Sequence, residues 1–167
     1  MTESGRKPDE HRDDLKAITQ EIPNTICVLD HELSEDRFTC GMYALGFELS
    51  EEYTAIAGYE LGLTYAGPEF FEWLIANRHF DEATIGAEGD LVMYFSQDRW
   101  THVGRMAGSE RAISKWGTGL LCEHNLAEVP EQYGDEVRFF HHPGADASLD
   151  LFVRYAKARG VPIEEES

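Results

Sequence analysis

The stretch Gly89-Asp-Leu-Val-Met-Tyr-Phe95, continued by Thr101-His-Val-Gly-Arg-Met106 and Arg111-Ala-Ile-Ser-Lys-Trp116, decides the fold. The residues from Leu91 to Phe95 are all apolar, which is typical of a central strand that is buried on both faces. The two segments that follow flank Ala107-Gly108-Ser109-Glu110, and this sequence favours a hairpin turn. We therefore predict consecutive antiparallel strands in this half of the chain.

Helical patterns come before these strands, and one more follows them. Thr39 is a suitable N-cap for a helix that begins at Cys40. The other predicted segments are a short strand in 26–29, an amphipathic helix from Pro68 to about His79, a strand over 133–140 and a last helix over 149–158. Helices that precede an antiparallel meander indicate an α+β fold, with helix packed on a sheet of about four to six strands.

The chain is long enough, at 167 residues, for one domain with a substantial core. We assign residues 22–160 to this domain because no repeat or low-complexity linker interrupts them. Residues 1–21 are polar and charged, which predicts a loose tail or a peripheral helix. Residues 161–167 form a short acidic tail.

The charge balance is strongly acidic. The chain has 32 Asp and Glu against 14 Lys and Arg, for a net charge of −18. Such a surface repels phosphate backbones and anionic lipids, which argues against nucleic acid and membrane partners. The acidity fits either a halophilic source or an ordinary acidic cytoplasmic protein. Because no signal peptide or membrane-spanning run is visible, we expect a cytoplasmic location.

The three cysteines, Cys27, Cys40 and Cys122, are an odd number without a disulfide spacing, which fits a reducing compartment. Cys27 lies in an apolar run, so we expect it in the core. Cys122 and His124 are close in sequence but lack a second pair of metal ligands at short spacing. We therefore predict no metal and no cofactor.

A thiol at the start of a helix and an imidazole on a strand are the minimal parts of a nucleophilic Cys-His site. Cys40 and His102 supply these two groups. The hairpin can pair in two ways: a three-residue loop centred on Gly108 places His102 opposite Ser114, and a two-residue loop places it opposite Lys115. We favour the first, because a hydroxyl can orient the ring.

The order of a Cys that opens a helix, Gly89-Asp-Leu-Val-Met-Tyr-Phe95 and then His102-Val-Gly resembles the papain-like cysteine hydrolases of the NlpC and CHAP type. The resemblance covers roughly residues 38 to 116. Ser114-Lys-Trp-Gly, His124 and Val129-Pro-Glu-Gln-Tyr-Gly are also similar to an uncharacterised bacterial subgroup of that superfamily.

The resemblance implies that Cys40 is the nucleophile, His102 the base and Ser114 the residue that orients the base, with His124 as the alternative for that third role. Backbone amides near Gly41, at the helix N-terminus, would lower the thiol pKa and donate to the oxyanion.

Two functions follow as expectations. The first is a Cys-His thiol hydrolase or acyltransferase, which acts through an acyl-enzyme on a peptide or another amide-containing substrate. The second is a catalytically silent papain-like fold that serves as a binding or immunity-type module for a protein partner.

Overall fold

The computed structural model describes residues 24–33, 37–57, 64–117 and 119–163. The predicted N-terminal tail, 1–21, lies outside the described residues, as do the last four residues of the acidic tail. The helices are α1 (Cys40–Leu45), α2 (Glu51–Ala57), α3 (Pro68–Ala76) and α4 (Ala145–Ala158). The strands are β1 (Cys27–Val28), β2 (Glu82–Ala83), β3 (Leu91–Ser96), β4 (Arg99–Gly108), β5 (Arg111–Lys115), β6 (Leu121–Asn125) and β7 (Glu136–Phe140). The predicted α+β class is confirmed.

The strands form one antiparallel sheet in the order β1-β6-β5-β4-β3-β7-β2. Strands β3 to β6 are a meander, and β7 then returns to pair with β3 on the other side. The seven strands exceed the predicted four to six, because the structure adds β6 and the two-residue strand β2 at an edge.

The sheet has two buried faces. Leu91, Met93 and Phe95 of β3 point to the four helices, and Val92 and Tyr94 point away from them, as strand alternation requires. We call these sides the helix face and the far face. The helix-face core includes Ala44, Leu45, Phe47, Tyr53, Phe70, Phe71, Leu74, Trp100, Val103 and Phe152. The far-face core includes Met106, Ala112, Trp116, Leu120, Cys122 and Tyr133.

The hairpin between β4 and β5 has neither of the two predicted registers. Gly104, not His102, lies opposite Ser114. The loop residues are Ser109 and Glu110, and an irregularity between Met106 and Gly108 leaves Ala107 unpaired. The turn lies further along the chain than either prediction assumed, and the extra residue then shifts the pairing of the rest of β4 by one position, so His102 lies opposite neither Ser114 nor Lys115.

Local sequence signals predict the start of α1 correctly and the start of β7 incorrectly. The Thr39 side chain accepts a hydrogen bond from the Met42 N–H, and α1 ends at Gly46 in the left-handed conformation, so the predicted start of this helix is confirmed. The predicted strand over 133–140 is too long. Tyr133 ends a 3-10 turn, Gly134 has φ 87°, and β7 begins only after them.

None of the helices in the described ranges combines the length and the apolar character needed to cross a membrane.

Candidate functional site

Cys40 is the first residue of α1, and its half-buried side chain packs against the helix-face core. The next residue, Gly41, is buried and touches the backbone of the segment before α3. A Cβ atom at Gly41 would overlap with the carbonyl oxygen of Ala66 and lie 2.9 Å from the Phe71 ring. The first turn of α1 is therefore packed closely against its neighbours.

His102 lies on the far face of the sheet. It is opposite Tyr94 in the β3–β4 ladder, is 1% exposed and stacks on Tyr133, with ring centroids 3.8 Å apart and planes at 4°. Its Nε2 atom has no hydrogen-bond partner among the described residues. Burial, together with the neighbouring His124, holds the pKa of His102 well below its usual value. The ring is therefore a neutral core group.

The predicted Cys40–His102 pair is not assembled, because the two side chains lie on opposite faces of the sheet. Val103, the residue after His102, belongs to the same helix-face core against which Cys40 packs. A β-bulge at Thr101 pairs Phe95 with Trp100 and Tyr94 with His102. The pleat then fixes the His102 ring on the side away from α1.

Ser114 orients a different histidine from the one expected. Its Oγ lies 2.7 Å from Nε2 of His124, and the indole N–H of Trp116 donates to Ser114 Oγ at 3.1 Å. Nδ1 of His124 lies 2.8 Å from the carbonyl oxygen of Asn125, which can only accept. We therefore assign the proton to Nδ1, so that Ser114 donates to Nε2.

This chain of hydrogen bonds requires a neutral His124. Burial is the main reason that its pKa lies below the usual value. A hydrogen-bonded Ser-His pair is also a pattern found in nucleophilic sites, but Ser114 and His124 are both 0% exposed and no substrate reaches them here. The pair joins β5 to β6 within the far-face core.

The other two cysteines differ from each other in exposure. Cys122 is buried opposite Ser114, whereas Cys27 is exposed on the edge strand β1, so its predicted place in the core is wrong. Within the described ranges, no group of three or more His, Cys, Asp or Glu residues is placed to hold a metal ion.

Tyr133, which covers His102, is not among the site residues predicted from the sequence. The predicted strand over 133–140 includes Tyr133 as its first residue, whereas the structure places Tyr133 in a 3-10 turn that stacks its ring on His102. Pro130 and Gly134 flank the short turn that carries it, and both are turn residues that could have indicated this loop.

No family model matches the chain, and neither does any curated protein or solved structure. The resemblance to the NlpC and CHAP hydrolases therefore rests on the motifs quoted above.

Proposed function

We propose that this protein is a catalytically silent domain of the papain-like type that acts as a protein-binding or immunity-type module. The observation that carries the proposal is the separation of Cys40 and His102 by the sheet. The order of a Cys-bearing helix, the β3 strand and the His-bearing β4 strand supports the papain-like assignment. The positions of the two side chains support the silent one.

Acyl transfer by a thiol needs a base within hydrogen-bond reach, about 3 Å directly or one water further. His102 does not meet this condition by a change of side-chain rotamer, since the pleat directs its Cβ to the far face. A one-residue slip of β4 would turn the ring toward Cys40, but it would also move Val103 and Met106 out of their cores. We therefore expect the separation to persist in solution.

The composition supports a protein partner for such a module. A net charge of −18 disfavours phosphate backbones and anionic lipids and steers a positively charged protein surface toward the domain. An immunity-type module has this task, since it binds and covers another protein without chemistry of its own.

A thiol hydrolase or acyltransferase remains the second candidate function. It is favoured by one observation: Cys40 is half-buried at the N-capped start of a helix, where reactive thiols occur. This candidate requires a base other than His102 or a rearrangement of β4. Modification of the thiol separates the two candidates.

The His102→Gln substitution is expected to leave the rate of Cys40 alkylation by iodoacetamide unchanged to within about twofold between pH 6 and 9. The reason is that the His102 ring lies on the other face of the sheet from Cys40. Peptide mass spectrometry reads the rate at each cysteine. The exposed Cys27 gives a reference rate in the same molecule, and the buried Cys122 reports any unfolding of the variant.

A fall in the Cys40 rate of more than about fivefold at pH 7, without modification of Cys122, would overturn the silent assignment. The wild-type protein provides a second measurement that does not depend on the variant. After incubation with peptide and peptidoglycan amides, its intact mass is expected to show no acyl adduct on Cys40. An adduct would instead support the hydrolase.

A further inference from the structure

The outer edge of β7 is only partly covered by its neighbour in the sheet. Strand β2 pairs with Phe139 and Phe140 and then leaves the edge, whereas β7 begins three residues earlier, at Glu136. The first half of β7 therefore has β3 on one side and, within the described ranges, no strand on the other. This leaves an open edge around Val137.

The backbone of Val137 points toward this open edge. The His141 N–H donates to the Asp81 carbonyl oxygen at 2.9 Å, which shows that odd-numbered residues of this segment direct their N–H and C=O groups to the β2 side. Val137 has the same parity, but β2 no longer runs beside it. Its N–H and C=O groups can therefore pair with a strand from another chain.

A cavity of about 340 Å³ lies at this edge and gives an incoming strand room. Its walls are residues 82–84 on one side and 137–139 on the other. Ile85 follows the first wall and is 82% exposed. A Cβ atom at Gly86 would lie 2.6 Å from the Phe139 ring, so the chain turns onto that ring instead of covering Val137. The edge therefore offers an incoming strand the backbone groups of Val137 and the apolar side chains of Ile85 and Phe139.

The charges at this edge are acidic. Arg138, the one cation among the cavity residues, is bound to Glu82 by two hydrogen bonds of 2.8 and 2.9 Å. Asp135 and Glu136 are exposed immediately before Val137, and the whole chain carries −18. A basic segment is therefore the complementary partner.

We propose that the open edge of β7 binds an extended, basic peptide segment of a protein partner, which adds to the sheet as a further strand. The segment carries Lys or Arg alternating with aliphatic residues, because successive side chains of a strand point to opposite faces. The aliphatic residues contact Val137 on the far face, and the basic ones lie on the opposite side of the strand, where Glu136 points. This proposal rests on the proposed function, for which it names the partner chemistry.

A second copy of the chain is the other possible occupant of a sheet edge. Two copies would bring together surfaces that each carry the same strong negative charge, which disfavours pairing at low ionic strength. Sedimentation analysis at low salt is therefore expected to show a monomer. A dimer that the Val137→Pro substitution dissociates would overturn the peptide proposal.

Fluorescence anisotropy tests the proposal with a short labelled peptide in which lysine alternates with valine. A control peptide of the same length, with glutamate in place of lysine, is expected to bind at least about tenfold more weakly. Val137→Pro removes an outward N–H, which an edge strand tolerates, and is expected to weaken binding about tenfold. The matched Val137→Ala variant keeps the N–H and is expected to stay within about threefold of the wild type.

A variant with Asp135→Asn and Glu136→Gln changes only exposed side chains and keeps the test valid if Val137→Pro does not fold. It is expected to bind the lysine peptide about fivefold more weakly and with less dependence on salt. Equal binding of both peptides, or no binding of the lysine peptide by the wild type, overturns the edge site. The alkylation result for Cys40 is independent of this outcome, so the two proposals fail separately.

Discussion

Replacing Gly134 by alanine is expected to lower the free energy of unfolding by about 3 kcal/mol, as measured by urea denaturation. Gly134 has φ 87° and ψ −173°, a backbone region that is essentially restricted to glycine and costs a residue with a Cβ about 1–3 kcal/mol. The added methyl would also overlap with the carbonyl oxygen of Phe95 and lie 2.9 Å from Cα of Ser96. Because both neighbours are backbone atoms of β3, the strain is not relieved by a rotamer change.

Gly160→Ala is the matched control for this substitution. Gly160 has φ 83°, but no atom lies within 4 Å of the position that its Cβ would take. The control therefore measures the cost of a positive φ without a steric clash, about 1 kcal/mol. Equal losses for the two variants would show that the contact with β3 contributes nothing.

The same substitution tests how His102 is covered. Tyr133 precedes Gly134 and stacks on the His102 ring, so a displaced turn would uncover the imidazole. We expect diethyl pyrocarbonate to modify His102 in the Gly134→Ala protein and not in the wild type under native conditions. Protection of His102 in both proteins would mean that other far-face residues suffice to bury it.

The sequence predicts the elements whose signals are local. The apolar run from Leu91 to Phe95 has the composition of a strand buried on both faces, and the structure places it as β3 near the middle of the sheet. Thr39 has the side chain that an N-cap requires, and it caps α1. In both cases the residues themselves contain the physical reason for the element.

Local signals could not predict which side chains come together at the candidate site. A strand with two buried faces gives no periodicity that tells which face the Cys40 helix covers. The side of His102 depends in addition on the bulge at Thr101. The Thr101 hydroxyl lies 2.6 Å from the carbonyl oxygen of Tyr133, to which it donates, and 3.0 Å from that of Tyr94. The contact with Tyr133 joins residues that are 32 positions apart in the chain, so no local pattern reveals it.

The predicted register of the β4–β5 hairpin is wrong for a related reason. Both candidate registers assumed regular pairing outward from the turn at Gly108. The structure instead leaves Ala107 unpaired and holds Glu110 at φ 64°. The turn at Ser109-Glu110 and the one-residue bulge together set the partner of each β4 residue, since each of them shifts every pair beyond it. Residue counts alone therefore could not assign the partner of the imidazole.

The free energy of unfolding is expected to fall as the pH is lowered from 7.5 to 5. The folded-state pKa values of His102 and His124 lie below the usual value, mainly because both rings are buried. Below the histidine pKa of about 6.5, the unfolded chain binds more protons than the folded one. The contribution of the two neutral rings to stability is therefore fully present above that pH and is lost as the pH falls below it. His102 is expected to contribute the larger share of this loss, because it is the more deeply buried of the two rings and its pKa is held well below the usual value.

The His102→Gln variant separates this effect from the other titrating groups. It removes the ring that must be protonated, so its stability should fall less steeply between pH 6.5 and 5, by as much as about 1.4 kcal/mol per pH unit. His102→Phe keeps an aromatic ring on Tyr133 and should lose the same part of the slope. Denaturant titrations at each pH measure all three proteins.

The acidic surface has the opposite effect on how the free energy of unfolding depends on pH. The comparison between variants is therefore necessary. Protonation of carboxylates reduces the repulsion within a chain of net charge −18, which favours the folded state. That effect is centred near pH 4, the usual carboxyl range, and is common to the wild type and both variants. A difference in slope thus reports His102 alone, and identical slopes in the three proteins would mean that the imidazole is not held neutral in the core. A His102 that titrates normally would have access to water, which would contradict its burial beneath Tyr133 on the far face.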